Sequence, residues 1–295
     1  MHHQRYRLVI PFMLPALILY GVFVLYPYVQ SFYVSLTDWR GMSDQRPWTG
    51  FSNYQRLAED GNFTNALGNN AFFLLVIPLI TISLALLFAT LFTQGARGVP
   101  GSSFYRIVFF FPQILSIVII GVLFKNVYKS TGDGLLNGVL RFLGFDQPVA
   151  WLGDPTIAIW AIAAVVIWQG VGFYMVLFIA GIQGIPDSFF EAATLDGAGR
   201  FTQFRTITLP LIWENIRVGV VYIAIAALDM FALVQVMTAG GPNRSTEVIA
   251  LYMYDRAFTR SLWGYATAMG VVLLLLTLIL SLITLRASRR DTYEY

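Results

Sequence analysis

Long intervals without a charged side chain constrain the fold of this sequence more than any other feature. A charge at the centre of a spanning helix costs roughly 2.5–3.5 kcal/mol, and such a helix needs about 20 residues, so spans are expected inside charge-free intervals. Five such intervals are 8–37, 61–96, 107–124, 155–186 and 261–285. A sixth candidate, Val218–Asn243, is interrupted only by Asp229. We therefore predict six transmembrane helices, centred near residues 20, 82, 115, 169, 228 and 274.

The composition also indicates a membrane protein, and it argues against metal, catalytic and nucleic-acid-binding sites. Of the 295 residues, 57% are hydrophobic and 12% are charged, whereas a soluble domain carries roughly 25% charged residues. The predicted fold is an all-α polytopic membrane protein, with a single transmembrane domain over residues 1–295. There is no cysteine, and the only histidines are His2 and His3, so we expect no metal site and no catalytic site. The basic residues are scattered, which argues against nucleic acid as a partner.

The connections between the spans have patterns of their own. Asp38–Asn69 is polar and predicts an ordered external loop, after which Pro78 is expected to kink or locally open the second span. The apolar spacing in Leu135–Leu143 predicts a short interfacial helix on the outer face. Thr238–Pro242 is a cluster of helix breakers and predicts a turn. Thr246–Phe258 predicts a short outer helix.

Basic residues near both chain ends suggest that the two termini are cytoplasmic. Arg5 and Arg7 precede the first span, and Arg286, Arg289 and Arg290 follow the last. Lysine and arginine are also denser in the shorter segments assigned to the inside, which agrees with the positive-inside rule.

One polar, helix-forming stretch separates the fourth and fifth spans. It is Glu191–Pro210, with the sequence EAATLDGAGRFTQFRTITLP. Gly197 interrupts the first helix and is expected to have a positive φ. Asp187 suits the start of that helix because a carboxylate is favoured near a helix N-terminus, and Pro210 ends the unit. We interpret the stretch as two short helices that a soluble partner grips; an ordinary amphipathic hairpin is the alternative interpretation.

The same stretch resembles a known motif. The pattern EAA, three residues, Gly, nine residues, Ile, one residue, Leu-Pro is similar to the EAA loop of the permease subunits of bacterial binding-protein-dependent ABC importers. Asp196-Gly197-Ala198 and the T-x-G-G-P of Thr238–Pro242 resemble the carbohydrate, maltose-type branch of that family. The resemblance implies the type I permease fold with cytoplasmic coupling helices, and a coupling loop at about 185–214. The residues that it assigns to ATPase coupling are Glu191, Ala192, Ala193, Asp196, Gly197, Ile207, Leu209 and Pro210.

The resemblance also implies a set of partners in the bacterial inner membrane. These are a second homologous permease, two copies of a cytoplasmic ATPase and an extracytoplasmic sugar-binding protein, in addition to the lipid bilayer. ATP and Mg²⁺ would bind to the ATPase and not to this chain. The residues themselves agree, because the only lysines are Lys125 and Lys129 and neither stands in a P-loop motif. The chain is therefore predicted to be a non-catalytic transport subunit.

A substrate path is expected along the helices on either side of the coupling loop. The resemblance points to Gln169, Gly170 and Phe173 on the fourth span, and to Ala226 and Met230 on the fifth. Asp229 is an intramembrane acid, which by default suggests a functional site. It either hydrogen-bonds a sugar hydroxyl, pairs with another helix, or faces a water-filled vestibule.

Other functions remain open at this point. A secondary transporter that works alone would need ionisable residues within the membrane, usually more than one, and a membrane scaffold would only recruit a protein to the loop. An integral-membrane enzyme agrees least with the residues present. The sequence leaves the transported solute open among di- or oligosaccharides, monosaccharides such as amino sugars, and glycerol 3-phosphate.

Overall fold

A computed structural model describes residues 3–42, 44–93, 101–131 and 134–287. Within these ranges the chain is helical apart from turns, irregular connections and one isolated antiparallel bridge between Thr37 and Trp48. The predicted all-α fold is therefore confirmed. The helices are α1 (His3–Tyr20), α2 (Tyr26–Ser35), α3 (Ser52–Glu59), α4 (Gly61–Thr93), α5 (Ser102–Ile114), α6 (Ile117–Val127), α7 (Leu135–Phe142), α8 (Ala158–Gln183), α9 (Asp187–Leu195), α10 (Arg200–Gln203), α11 (Leu209–Leu211), α12 (Trp213–Leu228), α13 (Phe231–Met237), α14 (Ile249–Tyr254) and α15 (Trp263–Ala287). Three π-helical turns continue neighbouring helices at Gly21–Leu25, Phe204–Thr208 and Asp255–Thr259.

Up to six membrane spans are present in the part of the chain that the structure describes. The helices that are long and apolar enough to cross a bilayer unbroken are Phe12–Ser35, Gly61–Thr93, Ala158–Gln183 and Trp263–Thr284. The bent pairs that meet the same requirement as one span each are Ser102–Ile114 with Ile117–Val127, at 100°, and Arg200–Leu211 with Trp213–Leu228, at 69°. The predicted spans thus divide into unbroken and interrupted ones.

The third span is not the single helix predicted over Ile107–Phe124. α5 and α6 are separated by Leu115 and Ser116, whose backbones are extended, with ψ of 142° and 136°. Pro112 lies in the last turn of α5 and removes one backbone donor, which weakens the helix near its end. The side-chain amide of Gln169 on α8 donates a hydrogen bond of 3.4 Å to the Leu115 carbonyl, an acceptor that the break frees.

The interval Val218–Asn243, expected to hold the fifth span, is also not one continuous helix. α12 ends before Asp229, and α13 begins after Met230. The backbone of Asp229 has φ −98° and ψ 64°, outside the helical region. Asn70 on α4 donates a side-chain hydrogen bond of 3.2 Å to the carbonyl of Leu228, at the end of α12. Both breaks therefore have an amide side chain of an unbroken span beside them.

The external loop predicted over Asp38–Asn69 is shorter than expected. It contains α3, and its last nine residues already belong to α4, which begins at Gly61. The carboxylate of Asp60 explains this start, because it accepts hydrogen bonds from the N–H groups of Asn62 at 2.9 Å and Phe63 at 3.4 Å. α4 then runs through Pro78 without ending.

Three smaller predictions are confirmed. The segment Leu135–Leu143 forms α7, Thr246–Phe258 contains α14 and the following π-helical turn, and Thr238–Pro242 is a turn. The membrane side on which they lie stays a prediction. Two of the arginines expected to stop the last span, Arg289 and Arg290, lie outside the described residues.

Two compact groups of residues make up the chain, namely 1–64 with 252–276, and 65–251 with 277–295. The second group has an apolar core around α8, in which Ile162, Met175 and Phe178 are fully buried. Gly172 allows α5 to approach α8, because an added Cβ would lie only 1.8 Å from the carbonyl oxygen of Phe109. Close packing between these helices fixes the position of the α8 side chains.

In the first group, Asp60 is the centre of a polar cluster. Its second carboxylate oxygen accepts hydrogen bonds of 2.6 Å from the hydroxyls of Tyr252 and Tyr265. The guanidinium of Arg256 donates to the Tyr252 oxygen at 2.6 Å, and Arg56 lies 4.4 Å from the centre of the Tyr265 ring. Burial raises the pKa of Asp60, but the hydrogen bonds from the two tyrosines and from backbone amides outweigh it, so the pKa lies below its ordinary value.

Candidate coupling segment and substrate path

The first half of the coupling segment is a short helix with well-defined ends. α9 begins at Asp187, directly after Pro186, as predicted. Proline suits the position before a helix because it lacks the backbone donor that the first turn leaves unpaired, and a carboxylate there interacts favourably with the helix dipole. The alanines of the EAA triplet then favour continued helix. The local sequence therefore accounts for this element without tertiary contacts.

A glycine turn ends α9 and reverses the chain. Gly197 has φ +77°, which confirms the predicted positive φ. The N–H of Ala198 donates to the Ala193 carbonyl at 2.8 Å, and the N–H of Gly197 donates to the Thr194 carbonyl at 3.0 Å. This pair of bonds is the Schellman arrangement, which satisfies the last carbonyls of a helix. A Cβ on Gly197 would meet nothing within 4 Å, so the requirement for glycine comes from the backbone conformation.

Gln203 joins the two halves of the segment, a role that no local sequence pattern indicates. Its side-chain amide donates to the Thr194 hydroxyl and to the Ala198 carbonyl, each at 3.0 Å. The Thr194 hydroxyl in turn donates to the Phe190 carbonyl at 2.7 Å. α10 is thereby tied to α9 by one side chain. A glutamine seven residues after a predicted helix end could point anywhere, which explains why its role was missed.

The second half of the segment leads into the fifth span. α10, a π-helical turn and α11 follow one another, and the 69° bend into α12 comes at Ile212, just after Pro210. Ile207, Leu209 and Pro210 are half-buried, as expected for an apolar face. Phe201, in contrast, has 75% of its surface exposed. One helical turn before the π-helical stretch it already points away from the packed side.

Four of the eight residues of the coupling motif are exposed, and the other four are half-buried. Glu191, Ala192, Asp196 and Gly197 are exposed, and Ala193 is half-buried. No residue of α9 or α10 is buried. The most exposed large apolar side chains of α9 and α10 are Leu195, at 90%, and Phe201, at 75%. A surface that combines exposed carboxylates with two prominent apolar side chains is suited to binding a protein partner.

The predicted substrate-path residues of the fourth span contact three different neighbours. Gln169 is half-buried and hydrogen-bonds Leu115, as described above. Gly170 faces α4, where an added Cβ would be 3.5 Å from Thr81. Phe173 is 39% exposed, with its ring 6.5 Å from that of Phe110. Of the three, Phe173 therefore offers the most surface to a ligand.

The predicted residues of the fifth span differ in exposure. Ala226 and Asp229 are exposed, while Met230 is 4% exposed and belongs to the core. Tyr222, which the sequence also suggested, is 67% exposed and precedes Ala226 by one helical turn, so the two share a face. No hydrogen bond or ring contact among the described residues joins these side chains to those on α8.

Comparison with known proteins decides the family. The family described as binding-protein-dependent transport system inner membrane component matches residues 63–290. The chain belongs to this family. The expectation drawn from the EAA loop is thereby confirmed, and the chain is a multi-pass inner membrane component.

Individual relatives match nearly the whole of this chain. The chain is 43% identical to the diacetylchitobiose uptake system permease protein NgcF of Streptomyces coelicolor, over 92% of this chain and 80% of that protein. It is 32% identical to the lactose transport system permease protein LacF of Rhizobium radiobacter, over 94% and 93% of the two chains. It is 31% identical to the multiple sugar-binding transport system permease protein MsmF of Streptococcus mutans, over 95% and 94%.

A solved structure has the same fold. A chain of a bacterial ABC transporter involved in the import of the acidic polysaccharide alginate aligns with a TM-score of 0.84, 24% identity and 98% coverage of both chains. A second structure, of the alginate transporter in complex with alginate pentasaccharide-bound periplasmic protein, aligns with a TM-score of 0.81, 24% identity and coverage of 98% and 96%. At this identity the likeness establishes the fold of the inner membrane component.

Proposed function

We propose that this chain is the membrane-spanning permease subunit of an ATP-driven importer that carries a sugar across the bacterial inner membrane. The observation that carries the proposal is the exposed two-helix segment between the fourth and fifth spans, in a member of a binding-protein-dependent transport family. Four of its motif residues are exposed, and its shape depends on internal hydrogen bonds. It therefore forms a preorganised element on which a separate ATPase can act.

The proposed assembly contains a second homologous permease, two copies of a cytoplasmic ATPase that binds ATP and Mg²⁺, and an extracytoplasmic sugar-binding protein. Both termini and the coupling segment are placed in the cytoplasm. Leu195 and Phe201 are proposed to fill apolar hollows of the ATPase, with Glu191 and Asp196 near its basic residues. This is consistent with the exposure of all four side chains, and ATPase movement would pass to α12 through the bend at Ile212.

The proposed substrate is a di- or oligosaccharide. Relatives at 43% and 32% identity are named for diacetylchitobiose and lactose uptake, so diacetylchitobiose is the first sugar to test. Tyr222 and Ala226 on α12, and Asp229 directly after its end, are proposed to line the path, together with Phe173. An exposed acid within a membrane-spanning segment is costly in lipid, which supports a water-filled cavity or a subunit interface on this side.

The test is ATP-dependent sugar uptake by the complete importer in proteoliposomes, with Gly197→Val as the decisive variant. Valine disfavours the left-handed conformation of Gly197, so the Schellman turn should be lost. We expect uptake to fall by at least about tenfold while the importer still assembles in the membrane. Gly199→Val is the matched control, because Gly199 has φ −70° and ψ 166° with nothing within 4 Å of an added Cβ. Normal uptake by Gly197→Val would contradict the coupling role.

Two further measurements separate this proposal from its alternatives. Uptake that continues after the proton gradient is collapsed, while ATP remains, supports the ATP-driven importer; uptake that stops identifies a secondary transporter. Thr202 is exposed on α10, so a cysteine placed there reports the side of the coupling segment. Labelling of Thr202→Cys by an impermeant maleimide from outside intact cells would exclude a cytoplasmic ATPase as its partner.

A further inference from the structure

The short helix α7 presents an apolar face to its surroundings. Leu135, Val139, Phe142 and Leu143 have 62%, 48%, 90% and 63% of their surfaces exposed. At 3.6 residues per turn, the four side chains fall within an arc of roughly 100°. Arg141 is also exposed, but it lies about 150° from the centre of this arc, on the same side of the helix as Asn137. The helix is therefore amphipathic, with the apolar arc on one side and polar residues on the other.

The opposite face of α7 is fixed by a single buried amide. Asn137 is 3% exposed, and its Nδ2 donates to the carbonyls of Lys129 at 2.9 Å and Val149 at 3.0 Å. Its Oδ1 accepts from the Val149 N–H at 3.0 Å and the Trp151 indole at 3.2 Å. Four hydrogen bonds to chain segments on both sides leave α7 little freedom to roll. The apolar arc cannot turn inward without breaking them.

α7 follows closely in the sequence after α6, which is part of the third span. α6 ends eight residues before α7 begins and exposes Val118, Ile119, Val122 and Leu123, each between 44% and 53%. Lys125 and Lys129 lie in or just after the last turn of α6 and are exposed. They place positive charge at the end of α6, where the phosphate groups of lipids would interact favourably.

We propose that α7 lies in the lipid headgroup layer, with its apolar arc toward the acyl chains and Arg141 on the side turned away from them. Three of the four arc residues are Leu or Val, which are under-represented among the anchors of protein interfaces, and the arc lacks Tyr, Trp, Met and Arg. Aliphatic residues that remain exposed between docking events would face water, whereas a bilayer covers them permanently. The occupant is therefore lipid. The assignment depends on the inner-membrane location of the family and is independent of the transported solute.

The test uses nitroxide labels, because the chain contains no native cysteine. Single cysteines are placed at Val139, Leu143 and Arg141 of the full-length chain, purified with its partner subunits into nanodiscs of phosphatidylethanolamine and phosphatidylglycerol. Val122→Cys on α6 serves as a lipid reference and Gln147→Cys, which is exposed in the following loop, as a water reference. Accessibility to oxygen and to a nickel chelate is then measured by electron paramagnetic resonance.

The expected result is a contrast within one helix. Labels at Val139 and Leu143 should have oxygen-to-nickel ratios close to that of Val122, while the label at Arg141 should resemble that at Gln147. Equal, water-like ratios at Val139 and Gln147 would overturn the proposal. Shielding of Val139 from both reagents only after a sugar-binding protein is added would overturn it as well, in favour of a protein interface. Asn137→Ala should reduce the contrast between Val139 and Arg141 by at least about twofold without abolishing expression.

Discussion

The two interrupted spans differ in how the carbonyl exposed at each break is satisfied. At the break after α12, Asn70 is 1% exposed and makes two bonds: it donates to Leu228 at 3.2 Å and accepts from the Ile249 N–H at 2.8 Å. At the break after α5, Gln169 is half-buried and makes one bond of 3.4 Å to Leu115, longer than the usual distance of about 2.9–3.0 Å. One break is firmly held and the other is weakly held.

This difference indicates which break can rearrange at small cost. A backbone carbonyl inside a membrane protein must find an internal partner, because the hydrocarbon offers none. Asn70 has a short side chain and two partners, so moving either partner loses buried hydrogen bonds. Gln169 has one more rotatable bond, a single partner and partial access to its surroundings. We therefore expect the third span to change its bend more readily than the fifth during transport.

The largest effect in this comparison is expected from Asn70→Leu. The substitution keeps the approximate size of the side chain but leaves the Leu228 carbonyl and the Ile249 N–H unpaired. Each buried group without a partner costs about 1–3 kcal/mol, so the loss of the two bonds should lower the stability by about 2–6 kcal/mol. In nanodiscs the thermal midpoint, measured by tryptophan fluorescence, should fall by at least about 5 °C.

Asn126→Leu provides the control for that variant. Asn126 is exposed and donates only to Val122 within its own helix, at 3.0 Å, so its replacement should leave the midpoint within about 1 °C. Equal midpoints for Asn70→Leu and Asn126→Leu would show that the break after α12 does not depend on Asn70.

A somewhat smaller effect is expected from Asp60→Asn, where a carboxylate instead of an amide holds a helix end. The variant weakens charge-assisted bonds to Tyr252, Tyr265 and the first turn of α4, and solvent screening limits the loss to about 1–2 kcal/mol. Since the folded-state pKa of Asp60 lies below its ordinary value, this stabilisation is present above about pH 4. It is lost as the pH falls through the folded-state pKa.

The measurement is therefore the difference in thermal midpoint between wild type and Asp60→Asn as a function of pH. It should be constant near neutral pH and shrink below about pH 4. Glu59→Gln removes a neighbouring exposed charge and should show little difference at either pH. A gap between wild type and Asp60→Asn that does not change with pH would mean that the charge is not what stabilises this cluster.

Gln169→Leu should have a smaller effect on stability than either of these variants. One long, partly accessible hydrogen bond contributes about 1 kcal/mol or less, so the midpoint should fall by no more than a few degrees. Uptake kinetics then distinguish two roles for Gln169. A lower maximal rate with unchanged half-saturation indicates control of the bend, while a half-saturation raised at least about tenfold at unchanged stability indicates contact with the sugar. Gln169→Asn keeps the amide but shortens its reach. It should behave like Gln169→Leu if Gln169 controls the bend, and differ from Gln169→Leu if Gln169 contacts the sugar.

The breaks themselves show where prediction from sequence ended. Charge-free intervals located the four unbroken spans, because such intervals depend only on composition, and Gly197 and Asp187 were predicted correctly from local helix-end chemistry. Leu115 and Ser116 are uncharged, so hydropathy does not detect an interruption there. The partners that make the breaks tolerable, Gln169 and Asn70, are 54 and 158 residues away from the carbonyls they bind. No local pattern encodes such pairs.

The smallest effect is expected from Asp229→Asn, at the centre of the firmly held break. The main-chain N–H of Asp229 donates to the Ala226 carbonyl at 3.1 Å, and asparagine keeps this bond. The carboxylate is exposed and bonds no other described residue, so its charge adds little to the structure. We expect the half-saturation and the maximal uptake rate to stay within about twofold of wild type, and the thermal midpoint to be nearly unchanged. This is the behaviour of an acid in a water-filled vestibule. A half-saturation raised at least tenfold would instead make Asp229 a sugar ligand, and the break after α12 would then be held rigid because it positions that carboxylate.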